Sequence, residues 1–174
     1  MVRPLLLSLL VRQSLALGER FRTRYPHAWL VWEAGVWHVP EQAEQDVAKT
    51  QLSAPDLQDC LPSGEDALCF ELHGGAWGRA FTLGRASTND LVVNDSTVSR
   101  ELLVFTPAGK DGWRVALAPQ GHTVTLNGKP LVAGEQTQLG PVGELLMGEV
   151  RLTFLGEYTK FDNYTGGNAI FDNE

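Results

Sequence analysis

The stretch Phe81-Thr82-Leu83-Gly84-Arg85-Ala86-Ser87-Thr88-Asn89-Asp90-Leu91-Val92-Val93-Asn94-Asp95-Ser96-Thr97-Val98-Ser99-Arg100 decides how the rest of the chain is read. Apolar alternation predicts strands at 79–83 and 90–94, with Gly84-Arg85 on the tight connection after the first and Ser99-Arg100 after the second. A guanidinium and a hydroxyl then stand at two loop tips of a β scaffold. A permanently charged planar donor beside a hydroxyl donor is the chemistry that holds a phosphate monoester.

Outward from this stretch the texture stays β. Strands are predicted at 67–72, 101–106, 113–118, 123–126, 136–139, 144–147 and 150–155. Turn signals separate them: His73-Gly74-Gly75, Ala108-Gly109-Lys110-Asp111-Gly112, Asn127-Gly128 and Gly140-Pro141. Many short strands at this spacing predict an all-β sandwich over 67–156. The tail 157–174 is polar.

The amino-terminal third is different. Residues 4–24 read as a helix that Pro4 opens and Pro26 stops, with Leu6, Leu9, Leu10, Leu17 and Phe21 on one face. His27 to Trp32 and Val36 to Val39, joined by Glu33-Ala34-Gly35, read as a β-hairpin with three tryptophans, Trp29, Trp32 and Trp37. The expected organisation is helix plus hairpin at 1–40 and a polar linker at 41–66. The sandwich and the tail follow.

The chain has 174 residues, 43% of them hydrophobic, and a net charge of −7, which suits one domain with an appendage. Residues 1–24 hold five arginines against Glu19, so +4, and the remainder is −11. An acidic chain is a poor partner for nucleic acid or for an anionic membrane surface. Leu5 to Val11 is shorter than a membrane span and is interrupted by Arg12, so an amphipathic helix and a cytoplasmic protein are expected.

In order and spacing, Leu83-Gly84-Arg85, Asn89-Asp90-Leu91-Val92-Val93, Val98-Ser99-Arg100, Leu126-Asn127-Gly128 and Gly143-Glu144-Leu145-Leu146-Met147-Gly148 form one pattern. It resembles the forkhead-associated (FHA) domain, a β-sandwich family that binds phosphothreonine peptides through loops at one end. The resemblance implies a non-catalytic binding module whose partner is a phosphothreonine protein or a Ser/Thr kinase. It implies phosphopeptide contacts at Arg85 and Ser99, with Arg100 as a flanking cation. Gly84, Asn127 and Gly128 take structural roles.

Two positions depart from the family pattern. Leu102 stands where the family places a bracing His. His122, Thr123 and Val124 stand where it places Asn-Gly-Thr, so Gly121, His122 and Thr123 become the candidate contacts to a peptide backbone. These departures motivate the alternative expectation of a scaffold domain that has lost phosphate recognition and binds through the Trp29, Trp32 and Trp37 surface or through sheet edges.

Nothing in the sequence predicts catalysis, a cofactor or a metal. His27, His38, His73 and His122 are scattered without ligand-type spacing. Cys60 and Cys69 fit no metal or redox motif and are expected as reduced thiols. Gly74-Gly75-Ala76-Trp77-Gly78 is not followed by a helix and reads as a turn rather than a nucleotide cradle. Asp56, Asp59, Glu65 and Asp66 read as a solvated acidic linker.

Overall fold

The computed structural model describes residues 2–33, 66–73, 78–109 and 112–157. Among them are strands β1 (Leu5–Leu6), β2 (Ala28–Trp32), β3 (Leu68–Leu72), β4 (Phe81–Gly84), β5 (Leu91–Val92), β6 (Leu103–Pro107) and β7 (Trp113–Leu117). The remaining strands are β8 (Val124–Leu126), β9 (Lys129–Pro130), β10 (Gln136–Leu139), β11 (Val142–Met147) and β12 (Val150–Leu155). Two helices, α1 (Leu7–Leu17) and α2 (Arg20–Arg24), precede β2. The predicted sandwich is present as two sheets, ordered β1-β3-β2-β12-β11-β8-β9 and β10-β7-β6-β4-β5. All pairings are antiparallel except β4 with β5.

The core between the sheets follows from the period of two. Leu30, Phe70, Leu83, Phe105, Val115, Leu145 and Leu152 all point inward and are buried. The alternate residues of β2 and β3 would face solvent in a bare sandwich. Instead Trp29, Val31 and Cys69 form a second buried cluster with Leu10, Phe21 and Leu155 beneath the helices. That arrangement explains why β2 is apolar at every position: both of its faces are covered.

The amino-terminal helix differs from its prediction. Leu5 and Leu6 pair with Cys69 and Leu68 as an edge strand, and Gly18, at φ 56°, breaks the remainder into two helices. Leu10 and Phe21 are buried as expected, but Leu6 and Leu9 are exposed. Asp66 is not a solvated linker residue. Its carboxylate accepts the Ser8 backbone N–H (3.1 Å) and the Ser8 hydroxyl (2.6 Å) at the start of α1, where the helix dipole favours negative charge.

The hairpin prediction met a different topology. β2 lies between β3 and β12, with Trp29 opposite Glu71 on one side and Leu155 on the other. Both of its edges are therefore occupied, which a two-stranded hairpin would not require. Residues 36–39 lie outside the described residues, as do the linker 41–65 and the tail 158–174. Trp29 and Trp32 are buried at 1% and 2% exposure, so neither offers the surface that the scaffold alternative needs. No helix among the described residues is long and apolar enough to cross a membrane.

Candidate functional site

Three loops meet at one end of the sandwich: 85–90 after β4, 93–102 between β5 and β6, and 118–123 between β7 and β8. Backbone bonds sew the first two together. Arg85 N–H donates to the Ser99 carbonyl (2.9 Å) and Ala86 N–H to the Arg100 carbonyl (3.1 Å). The close approach depends on Gly84, because a Cβ there would stand 2.1 Å from the Arg100 carbonyl oxygen.

Asn89 locks the same junction from beneath. It is 4% exposed, and its side-chain amide donates to the carbonyls of Ala86 (2.8 Å) and Arg100 (2.7 Å). Sequence reasoning assigned Asn89 no role. The signal was available: an Asn between two strand patterns is a residue that hydrogen-bonds nearby backbone and shapes a turn.

The loop that displays Ser99 is held from three directions. Val98 is buried in the core. The buried Asp95 carboxylate accepts the Thr97 backbone N–H (2.8 Å) and hydroxyl (2.6 Å). The Thr97 hydroxyl oxygen in turn accepts Glu149 N–H (3.1 Å) from the turn between β11 and β12. Asp95 and Thr97 were also missed in the sequence, although Asp-x-Thr is a local turn signature.

Arg85 and Ser99 stand on adjoining loops joined through the backbone. The Arg85 Nε donates to the Val98 carbonyl (3.1 Å), which fixes the guanidinium beside the Ser99 loop. Its terminal amino groups meet no acceptor among the described residues. The Ser99 hydroxyl oxygen accepts the His122 backbone N–H at 3.3 Å, which draws in the third loop. Ser99 keeps its own hydroxyl proton for a further acceptor. Arg100 contributes its carbonyl to the junction, while its side chain is exposed and unpaired among the described residues.

The third loop shows how the chain manages without a bracing His at 102. Leu102 is fully buried. Its backbone N–H donates to Leu83 (2.9 Å) and its carbonyl accepts Ala118 N–H (2.8 Å). A Cβ on Gly121 would lie 3.1 Å from the side chains of both Leu102 and Leu117, so Gly121 is seated directly on this apolar floor. Packing thus supports the loop where the family pattern has an imidazole.

His122 holds its neighbour, with Nδ1 3.0 Å from the Thr123 carbonyl, and its buried Nε2 has no partner among the described residues. Thr123 is exposed and shares the loop without touching Arg85 or Ser99 among the described contacts. Asn127 (φ 50°) and Gly128 (φ 83°) form the predicted turn from β8 to β9, and the Asn127 carbonyl group of its side chain accepts Glu144 N–H (2.9 Å).

Similar proteins were found by family and by structure. No curated protein sequence matches the chain. The FHA domain of the CT664 protein from Chlamydia trachomatis has 16% identity and a TM-score of 0.45, over 52% of this chain and 86% of that one. The solution structure of the FHA domain of a hypothetical protein from Arabidopsis thaliana has 15% identity and a TM-score of 0.49, over 77% and 88%. A structure from a study of phosphothreonine-dependent FHA domain interactions has 16% identity and a TM-score of 0.49, over 76% and 99%. The family model of the FHA domain matches residues 81–148. That match runs through the strands and loops that carry Arg85 and Ser99, and over this span the chain is similar to the FHA domain family.

Proposed function

We propose that the three-loop end of the sandwich is a phosphothreonine-dependent protein-binding site. The observation that carries this reading is the state of Arg85 and Ser99. Arg85 is anchored through Nε alone, and Ser99 is used only as an acceptor. The terminal guanidinium nitrogens and the hydroxyl proton therefore remain for one phosphate. A phosphothreonine carries about −1.5 to −2 charge and three acceptor oxygens, which suits such a donor set. The exposed Arg100 adds positive potential beside it. Gly121, His122 and Thr123 line the third side as contacts for the peptide backbone.

The site offers recognition chemistry rather than a reacting group. The partner is accordingly a phosphorylated protein, supplied by Ser/Thr kinase signalling or the kinase itself, and the setting is cytoplasmic. Against a scaffold that has dropped phosphate recognition and binds through its tryptophans stands the burial of Trp29 and Trp32, two of the three residues of that surface.

The test is a peptide array with paired phosphothreonine and unmodified spots, followed by titration of the best sequence. Arg85→Ala is expected to weaken binding about tenfold to a hundredfold, the value of roughly 1.5–3 kcal/mol for hydrogen bonds to a charged group. Ser99→Ala should weaken it less. Equal binding to both members of each pair, or no change in Arg85→Ala, would overturn the proposal.

A further inference from the structure

Away from the three loops, the structure assembles a group of side chains that the sequence left scattered. His27 precedes β2, Glu71 lies on β3 and His73 follows it. The register pairs Ala28 with Leu72 and Trp29 with Glu71, so one further step sets His27 opposite His73. Glu71 and His73, two residues apart, project from one face of the sheet, and His27 joins them across the strand pair.

The resulting geometry is convergent. Glu71 divides its carboxylate between the two imidazoles, with Oε2 3.2 Å from His73 Nε2 and Oε1 4.0 Å from His27 Nε2. The ring centroids are 5.0 Å apart and the rings meet edge to face. One ligand atom from each residue falls within 4.8 Å of the others. Ligands bound tetrahedrally at 2.0–2.2 Å stand about 3.4 Å apart, so modest closure completes the set. The side chain of His73 is 61% exposed and can supply that movement, while Glu71 at 13% forms the fixed centre.

We propose that His27, Glu71 and His73 bind a borderline divalent cation, Zn²⁺ or a close relative such as Co²⁺. Two imidazoles and one carboxylate select this class over Mg²⁺ and Ca²⁺, which take oxygen ligands. Three protein ligands leave a fourth position for water or an anion. Glu71 and His73 line a groove of about 560 Å³ that Arg3 and Arg79 also border. Arg79 is paired with Asp90 at 2.8 Å, so its charge is largely answered before a cation arrives. The bound ion would clip the entry of β2 to the exit of β3.

The experiment uses the full chain without a histidine tag, stripped with chelator. Co²⁺ is titrated and followed by visible absorption, and Zn²⁺ binding is measured by calorimetry and by the change in Tm. One Zn²⁺ per chain is expected, with displacement of Co²⁺ by Zn²⁺ but not by Mg²⁺. His27→Ala, Glu71→Gln and His73→Ala should each weaken binding by at least the tenfold to hundredfold that loss of a supporting partner costs at metal sites. The metal-free Tm of His73→Ala should match wild type, because that side chain is largely exposed. Absence of saturable binding, or binding by His27→Ala and His73→Ala as tight as that of wild type, would show a hydrogen-bonded cluster and overturn the proposal.

Discussion

Replacing Asn89 tests the account of how the loops that carry Arg85 and Ser99 are joined. The side-chain amide makes two bonds, at 2.8 and 2.7 Å, from a position that is 4% exposed. Both acceptors keep another partner: Asn89 N–H reaches the Ala86 carbonyl and Ala86 N–H reaches the Arg100 carbonyl. Asn89→Ala therefore removes two bonds without orphaning a carbonyl, a loss of about 1–3 kcal/mol at 0.5–1.5 kcal/mol each. Asn89→Asp keeps the shape but turns an acceptor toward two carbonyl oxygens, so it should cost more than Ala. Urea unfolding at pH 7 reads both, with the midpoint shifting and the slope unchanged. A loss in Asn89→Ala below about 0.5 kcal/mol, within the range of an ordinary surface substitution, would refute the clamp. So would a smaller loss in Asp than in Ala.

Other outcomes follow from neighbouring features. Gly84→Ala would set a Cβ 2.1 Å from a backbone oxygen, and a destabilisation of about 3 kcal/mol, at the top of the overpacking range, is expected in thermal melts. Thr97→Val keeps the volume but removes the hydroxyl bonds to Asp95 and Glu149, and should cost about 1.5–3 kcal/mol by the same measurement. Burial, aided by the negative charges of Glu33 and Asp66, pushes the Cys69 thiol well above its ordinary value. The folded chain then keeps a proton that the unfolded chain releases. Stability from this group is full below about pH 8.5 and falls as pH rises through that value, by up to about 1.4 kcal/mol per pH unit. Urea midpoints between pH 7.5 and 9.5 should fall less in Cys69→Ala than in wild type.

The legible part of this fold was the part governed by local pattern. Alternation located β3, β6, β7, β8, β10 and β12 to within a residue or two, because each has one face on the core. Asn127-Gly128 declared its turn, and the Gly84-Arg85 and Ser99 signals fell on loops that the backbone joins. What was not legible depended on sequence-distant partners. No local rule says that β2 slots between strands from residues 68–72 and 150–155, or that Asp66 caps a helix starting near residue 7. The meeting of His27 with His73 is of the same kind, since only strand register brings together two residues so far apart in sequence. Leu102 was readable as a departure from a pattern. Its role as an apolar floor under Gly121 was not, because that depends on three elements at once.

The central placement of β2 bears on how this molecule can be cut. Trimming the chain to the span that looks like the binding unit, 67–156, would unzip the larger sheet down its middle. β12 would face water along a bare edge, β3 would lose its partners on both sides, and seven buried side chains, Leu10, Phe21 and the five of β2, would go missing. At about 1.5–3 kcal/mol for each large apolar side chain, that loss rivals the 5–15 kcal/mol that keeps a typical domain folded. The amino-terminal segment is therefore no detachable accessory, and fragments lacking it should aggregate instead of reporting on peptide recognition.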